Sequence, residues 1–261
     1  MTKEDAIDDL ASRYLAAEAE RVALEPISVI CPDLTMEEAY RVQMAIVACK
    51  LNSGERVAGK KVGATNEAIQ KAMMIAEPIY GHLFHSQQIS NGTTVSLSRL
   101  IHPRVECEIG FTLGRDLSGP GATADDALEA ARSVTASIEI NDSRTREWKI
   151  GTREVIADNG VAARFVLGKK ELAAGDLDLR QVRVIMKKNG EEIARSTGAA
   201  ILGNPAESVA WLANKIAEHD GGLRAGEVVL AGSMTPMTPV EGGDLIEAWF
   251  DDLGSVSVRF E

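Results

Sequence analysis

Two glutamates, Glu106 and Glu108, stand two apart in the stretch "RVECEIGF", residues 104–111. Val105, Cys107 and Ile109 alternate with Arg104, Glu106 and Glu108, which predicts a β-strand with both carboxylates on one face. Like charges that close weaken a sheet. Two readings account for them: an amphipathic strand with a wet outer face, or a strand that holds a hard cation between its acids. A third acid bears on the choice. In "SIEIND", residues 137–142, Ile138 and Ile140 alternate with Ser137, Glu139 and Asn141. If that strand neighbours the first, three carboxylates converge. An all-oxygen ligand set suits Mg²⁺ or Mn²⁺ rather than zinc. Spacing alone does not make two strands neighbours, so both readings stand.

Other side chains could join such a site. Lys60 and Lys61 lie in "AGKKVGAT". On a strand only one of them points inward. An inward lysine near a metal can have a lowered pKa and move protons, whereas a solvated one does neither. The loop "LAGSMTPMTPV", residues 230–240, carries Gly232 and Ser233 and can offer backbone N–H groups to a carboxylate. It matches neither the phosphate-binding nor the dinucleotide-binding glycine pattern, and no nucleophile elbow is present. The histidines read as structural. His82 and His85 follow the turn "PIYG", His102 precedes a proline, and His219 sits near a helix C-terminus, where a cation is favourable.

The elements that must position these residues divide at about residue 55. Ile7, Leu10, Tyr14, Leu15 and Val22 have helical spacing over 3–24. A second helix begins at "TMEEAYRVQMAIVACK", with Thr35 and Glu38 placed for a capping box, and "NSGE" ends it. Residues 1–55 therefore read as a helical region and 56–261 as a β-rich catalytic domain. The latter shows strands at "RVAGKKVGAT", "TTVSLSRLI", "RVECEIGFTL", "TASIEIND", "GEVVLAGS" and "SVSVRFE". It also shows a hairpin turning at Asn189-Gly190. Helices are predicted at "TADDALEAARSV", capped by Thr123, and at "GNPAESVAWLANKIAEHDGG", capped by Asn204 with Pro205 at its first position. Steady βαβ alternation is missing, which disfavours a doubly wound parallel sheet. The fold class expected is α+β with an antiparallel or mixed core.

Bulk properties exclude some roles. The net charge of −11 argues against a nucleic-acid surface, which needs lysine and arginine against phosphate. A small anion held by a metal or a local cation remains open. Three scattered cysteines are no disulfide framework and suit a reducing compartment. The N-terminus is acidic and amphipathic, unlike a signal peptide, and no apolar run is long enough for a bilayer. The cytoplasm is the expected location.

"KVGAT", "EPIYGHLF", "HPRVECEIGFTLGRDLSGPG", "SIEINDSRTREWK", "IADNG", "GNPAESVAWLANKIA", "AGEVVLAGS" and "LGSVSVRF" follow one another in that order. Over roughly residues 35–261 the chain thereby resembles the 2-keto-4-pentenoate hydratase / 4-oxalocrotonate decarboxylase family, within the fumarylacetoacetate hydrolase superfamily. The resemblance implies a mixed β-roll core with an N-terminal helical region. It implies Mg²⁺ or Mn²⁺ on Glu106, Glu108 and Glu139, with Lys61 catalytic and Lys60 its outward-facing neighbour. It places Ser233 against the substrate carboxylate, with Gly232 and Arg104 as further substrate contacts. A homo-oligomer is implied as well.

The implied activity is a metal-dependent lyase of 2-oxo or 2-hydroxydienoate acids from aromatic meta-cleavage catabolism, working through an enolate. Two departures stand out. Ile79 occupies the place where family hydratases carry Asp, and Gly160-Val161 stands where Ala-Ser is usual. The decarboxylase branch resembles this chain more closely at Ile79. Decarboxylation of a 4-oxalocrotonate-like acid is therefore favoured, ahead of 2-hydroxypenta-2,4-dienoate hydration and of acylpyruvate C–C hydrolysis. A structural metal-binding module is the non-catalytic alternative.

Overall fold

The computed structural model describes residues 3–217 and 221–261, so His219 lies outside the described residues. Three helices come first: α1 (Lys3–Glu20), α2 (Ile27–Ile30) and α3 (Met36–Asn52). α3 begins with the expected capping box: Glu38 N–H donates to Thr35 Oγ1 at 3.1 Å, and Thr35 N–H donates to Glu38 Oε2 at 2.9 Å. α1 is shorter than its apolar spacing suggested. Arg21 takes a left-handed φ of 58°, which ends the helix and leaves Val22 exposed. Four more helices follow: α4 (Glu67–Met73), α5 (Ala124–Ala130), α6 (Thr152–Ala157) and α7 (Pro205–Ile216). Asn204 caps α7 by accepting from Ala206 N–H at 3.1 Å.

The strands are β1 (Val57–Gly63), β2 (Ile79–Phe84), β3 (Gln88–Ile89), β4 (Thr94–Val95), β5 (Arg104–Leu113), β6 (Ala131–Asn141) and β7 (Ala162–Leu167). β8 (Arg183–Lys188), β9 (Glu191–Thr197), β10 (Val228–Ser233), β11 (Thr238–Pro239), β12 (Leu245–Phe250) and β13 (Gly254–Phe260) complete them. The larger sheet runs β2-β1-β10-β5-β6-β7-β3, with β11 beside β5, and the smaller runs β4-β13-β12-β8-β9. β1 with β10, β3 with β7, and β4 with β13 are parallel; the other pairs are antiparallel. The architecture is the mixed α+β type expected. The strand at "TTVSLSRLI" is cut to two residues, because its partner β13 ends at Phe260, opposite Val95. A 3-10 turn then takes over at Leu97–Arg99. The β8–β9 hairpin turns through Asn189 (φ 56°) and Gly190 (φ 85°), as two consecutive left-handed residues require.

One face of the larger sheet is apolar. Val105, Cys107, Ile109 and Phe111 of β5 and Ile138 and Ile140 of β6 form one core with Ile246, Ala248, Val256 and Val258 of the smaller sheet. Fully burying each such side chain contributes roughly 1.5–3 kcal/mol. The opposite face carries the acids, and it is covered too. Residues 141–161 fold back over it: Asn159 Nδ2 donates to His82 O at 2.8 Å, and His82 N–H donates to Asn159 Oδ1 at 2.7 Å. The N-terminal helices close a second cluster in which Leu10, Tyr14, Val42 and Ile46 meet Ile79, Val155 and Ile156. Gln43, fully buried on α3, donates to Tyr80 O at 3.0 Å and Ile156 O at 2.8 Å. Among the described residues, no helix is long and apolar enough to cross a membrane.

Candidate metal centre

Strand pairing brings the acids together. β5 and β6 lie side by side, with Glu106 opposite Glu139 and Glu108 opposite Ser137. A slip of one residue would turn Glu139 into the apolar core, so the buried isoleucines that flank it also fix its direction. One carboxylate oxygen from each of Glu106, Glu108 and Glu139 lies within 4.8 Å of the others. Glu108 and Glu139 are fully buried, and Glu106 is 5% exposed. The wet-face reading of this strand is thereby overturned: sheet strands flank β5 on both sides and the 141–161 segment roofs it.

Burial and mutual repulsion act on these carboxyls. Burial pushes Glu106 up to about 7, with Glu139 adding to the rise and Lys61 opposing it. Glu108 is raised well above the usual carboxylate range, first by burial and then by Glu139 and Glu106. Lys61, 3% exposed, reaches the cluster from β1. Its Nζ is 3.0 Å from Glu139 Oε2 and donates to Gly160 O at 3.1 Å and Asn141 Oδ1 at 3.4 Å. Burial alone would lower its pKa, but Glu139, Glu106 and Glu108 outweigh that and hold it raised. The lowered lysine pKa considered from the sequence is therefore absent while the carboxylates face Lys61 alone. A divalent cation among them would offset that attraction.

The donor set fits such a cation. Glu108 Oε1 and Glu139 Oε1 are buried with no hydrogen-bond partner among the described residues. A charged oxygen left so is costly. A hard cation would supply what the two oxygens lack, and the three candidate ligands are all carboxylates.

Around them sit groups that aim the carboxylates. Asn141, on the same face of β6 as Glu139, donates to Glu106 Oε1 at 2.8 Å while accepting from Lys61. Sequence reading put Asn141 on this face but assigned it no task; its spacing of two from Glu139 was the available signal. Gly232 N–H donates to Glu108 Oε2 at 2.7 Å, so this N–H is engaged by a carboxylate of the protein. Gly232 has φ +114°, and a Cβ there would meet Thr65 Oγ1 at 2.4 Å.

Ser233 lines the same cavity as Glu106; its hydroxyl donates to Thr235 O at 2.5 Å and accepts from Thr235 N–H at 3.2 Å. Arg104 is not among the residues lining that cavity; its guanidinium stacks 4.3 Å over the Trp148 ring. Lys60 points away from the site as expected, yet not into solvent: it is 4% exposed and pairs with Glu227 at 3.6 Å. The carboxylate cluster includes no histidine. The cavity itself measures about 200 Å³, and most of its large lining side chains are apolar, among them Ile69, Met73, Ile79, Ile150, Val155 and Val161.

Comparison with known proteins places this arrangement. The family described as fumarylacetoacetate (FAA) hydrolase C-terminal matches residues 45–261. The 2-hydroxyhexa-2,4-dienoate hydratase of Comamonas testosteroni is 37% identical, over 100% of this chain and 99% of that protein. The 4-oxalocrotonate decarboxylase of Pseudomonas sp. (strain CF600) is 38% identical, over 98% of this chain and 97% of that protein. The solved structure of 4-oxalocrotonate decarboxylase from Pseudomonas putida G7, complexed with magnesium and adipate, superposes with a TM-score of 0.96 at 36% identity, covering 100% of this chain and 99% of that one. The chain is an enzyme of the fumarylacetoacetate hydrolase family, in the branch that holds the 2-keto-4-pentenoate hydratases and 4-oxalocrotonate decarboxylases.

Proposed function

We propose that this protein is a divalent-metal-dependent lyase of short 2-oxo acids, and that it releases CO₂ from a 4-oxalocrotonate-like substrate. Glu106, Glu108 and Glu139 hold the ion, Mg²⁺ or Mn²⁺, consistent with the magnesium in the decarboxylase structure that this chain resembles. Bound there, a divalent cation polarises the keto group of a 2-oxo acid. Lys61 is the proton carrier: its Nζ is held by Glu139 and Gly160 O at the edge of the cavity, and it delivers a proton to the carbanionic product. Asn141 and the Gly232 N–H keep two of the ligand carboxylates aimed. The Ser233 side chain, facing the same cavity, contacts the substrate carboxylate.

One observation carries the choice of decarboxylation. The cavity lining is mostly apolar, and Lys61 and Glu106 are the titratable groups that line the space. A carboxylate at the substrate's far end is desolvated there, and loss of CO₂ removes its charge. Hydration instead needs a base that places water on a distal carbon. It is the second reading, supported by the Thr65 hydroxyl in the same cavity and by the 37% identity to a hydratase. The deciding experiment supplies the Mg²⁺-loaded protein with 4-oxalocrotonate and, separately, with 2-hydroxypenta-2,4-dienoate. Released CO₂ in the first assay is expected; intact hydration with no CO₂ overturns the decarboxylase assignment.

A further inference from the structure

Two cavities meet at one side chain. Lys61, Glu106 and Ile79 all line the reaction cavity of about 200 Å³. Ile79 also lines a second cavity of about 740 Å³, whose apolar lining includes Tyr40, Met44, Ile75, Tyr80 and Ile156. Ile79 is the residue common to both linings.

Its position is tightly set. It opens β2 directly opposite Gly63 of β1 and is 5% exposed. A Cβ built on Gly63 would sit 3.3 Å from Ile79 Cγ1 and 3.9 Å from Lys61 Nζ, so the isoleucine branch abuts the strand that presents the lysine. A β-branched side chain is stiff at χ1 and cannot swing aside as a leucine or methionine can. Of the charged side chains that also line the second cavity, Lys215 pairs with Glu77 and Arg41 with Glu4, and Glu37 adds a negative charge that repels a carboxylate. That space suits a hydrocarbon chain and not a second carboxylate.

We propose that Ile79 is a partition that sets substrate length. It confines the reaction cavity to short 2-oxo acids, and the space behind it becomes a tail compartment when the side chain is shortened. The inference rests on the lyase reading above. Each methylene that moves from water into such a compartment tightens binding about fourfold, from roughly 0.8 kcal/mol per buried CH₂.

The test is calorimetric binding of unbranched saturated 2-oxoalkanoates, from 2-oxopentanoate to 2-oxononanoate. These are inert to both CO₂ loss and hydration. The proteins are Mg²⁺-loaded wild type, Ile79→Ala and Ile79→Val. Wild-type affinity is expected to stop rising after the shortest members. Ile79→Ala is expected to keep gaining about fourfold per added methylene, with Ile79→Val between the two. The valine variant removes a single methyl group, so it decides the matter if the alanine variant does not fold. Length profiles that coincide in wild type and the variants overturn the partition and leave the lyase reading intact. If 2-oxopentanoate fails to bind wild type at all, the lyase reading falls, and the partition with it.

Discussion

Lys61 and Glu139 face each other at 3.0 Å, both buried, and a metal ion bound at Glu139 would compete with that pair for the same carboxylate. Replacing the ammonium should therefore separate chemistry from metal binding. Lys61→Met is expected to lower kcat by roughly 10²–10⁴-fold, the usual worth of a positioned proton carrier. Metal affinity, followed by titration calorimetry, should hold or rise, since Glu139 loses its competing cation. Equal turnover in both proteins would remove Lys61 from the chemistry. The carboxylates make a pH prediction with a definite sign. In the metal-free protein Glu106 titrates at about 7 instead of its ordinary 4.5. Between those values the folded state binds more protons than the unfolded one, so metal-free stability falls as pH rises through that window. Ligation needs the deprotonated form. Added Mg²⁺ should accordingly raise the melting temperature strongly at pH 8 and little at pH 5, compared with EDTA-treated protein. A rise of equal size at both pH values would contradict ligation by these groups.

β2 and the turn at 159–161 form the element pair that holds Lys61 in place, and their approach leaves no room for a side chain. A Cβ on Gly81 would lie 2.4 Å from Asn159 O. Gly81→Ala should force the turn away and cost about 3 kcal/mol, or roughly 6–12 °C in Tm for a chain of this size. Turnover should fall with it, because Gly160 O would no longer meet Lys61; an unchanged melt would refute the close packing. The same elements show what was legible in the sequence. Alternation along β5 and β6 put Glu106 with Glu108, and Glu139 with Asn141, on shared faces, because strand periodicity is local. The register that sets Glu106 opposite Glu139 is not local: 33 residues separate the partners. Order of motifs, through the family resemblance, supplied it. Burial of the acidic face was equally invisible, because it depends on a roof contributed by residues 141–161. The same holds for Lys60, whose partner Glu227 is distant in sequence. Caps at Thr35, Thr123 and Asn204 were readable because each is completed within three residues.

At the scale of the whole molecule, the division near residue 55 meets a core that crosses it. Leu10, Tyr14, Val42 and Ile46 pack with Ile79, Val155 and Ile156, and two of those, Ile79 and Val155, also line the reaction cavity. Gln43 binds a strand carbonyl and a helix carbonyl across the same seam, at 3.0 and 2.8 Å. Removing α1–α3 would expose this apolar surface, at a cost of roughly 1.5–3 kcal/mol for each large side chain returned to water. That alone consumes much of the 5–15 kcal/mol that typically holds a domain folded. Full-length protein is therefore expected to melt in one cooperative transition by circular dichroism. The fragment 56–261 should show none and should turn over no substrate. Gln43→Leu offers a milder version, keeping the helices but deleting the two bonds; it should lower Tm while sparing metal affinity, because no ligand lies on that seam. A fragment 56–261 that melts cooperatively and retains wild-type turnover would make it an autonomous catalytic domain and reduce the helices to an attachment. The shared wall at Ile79 and Val155 argues for the opposite outcome: the N-terminal helices buttress the side chains that shape the cavity, so they are part of the catalytic fold.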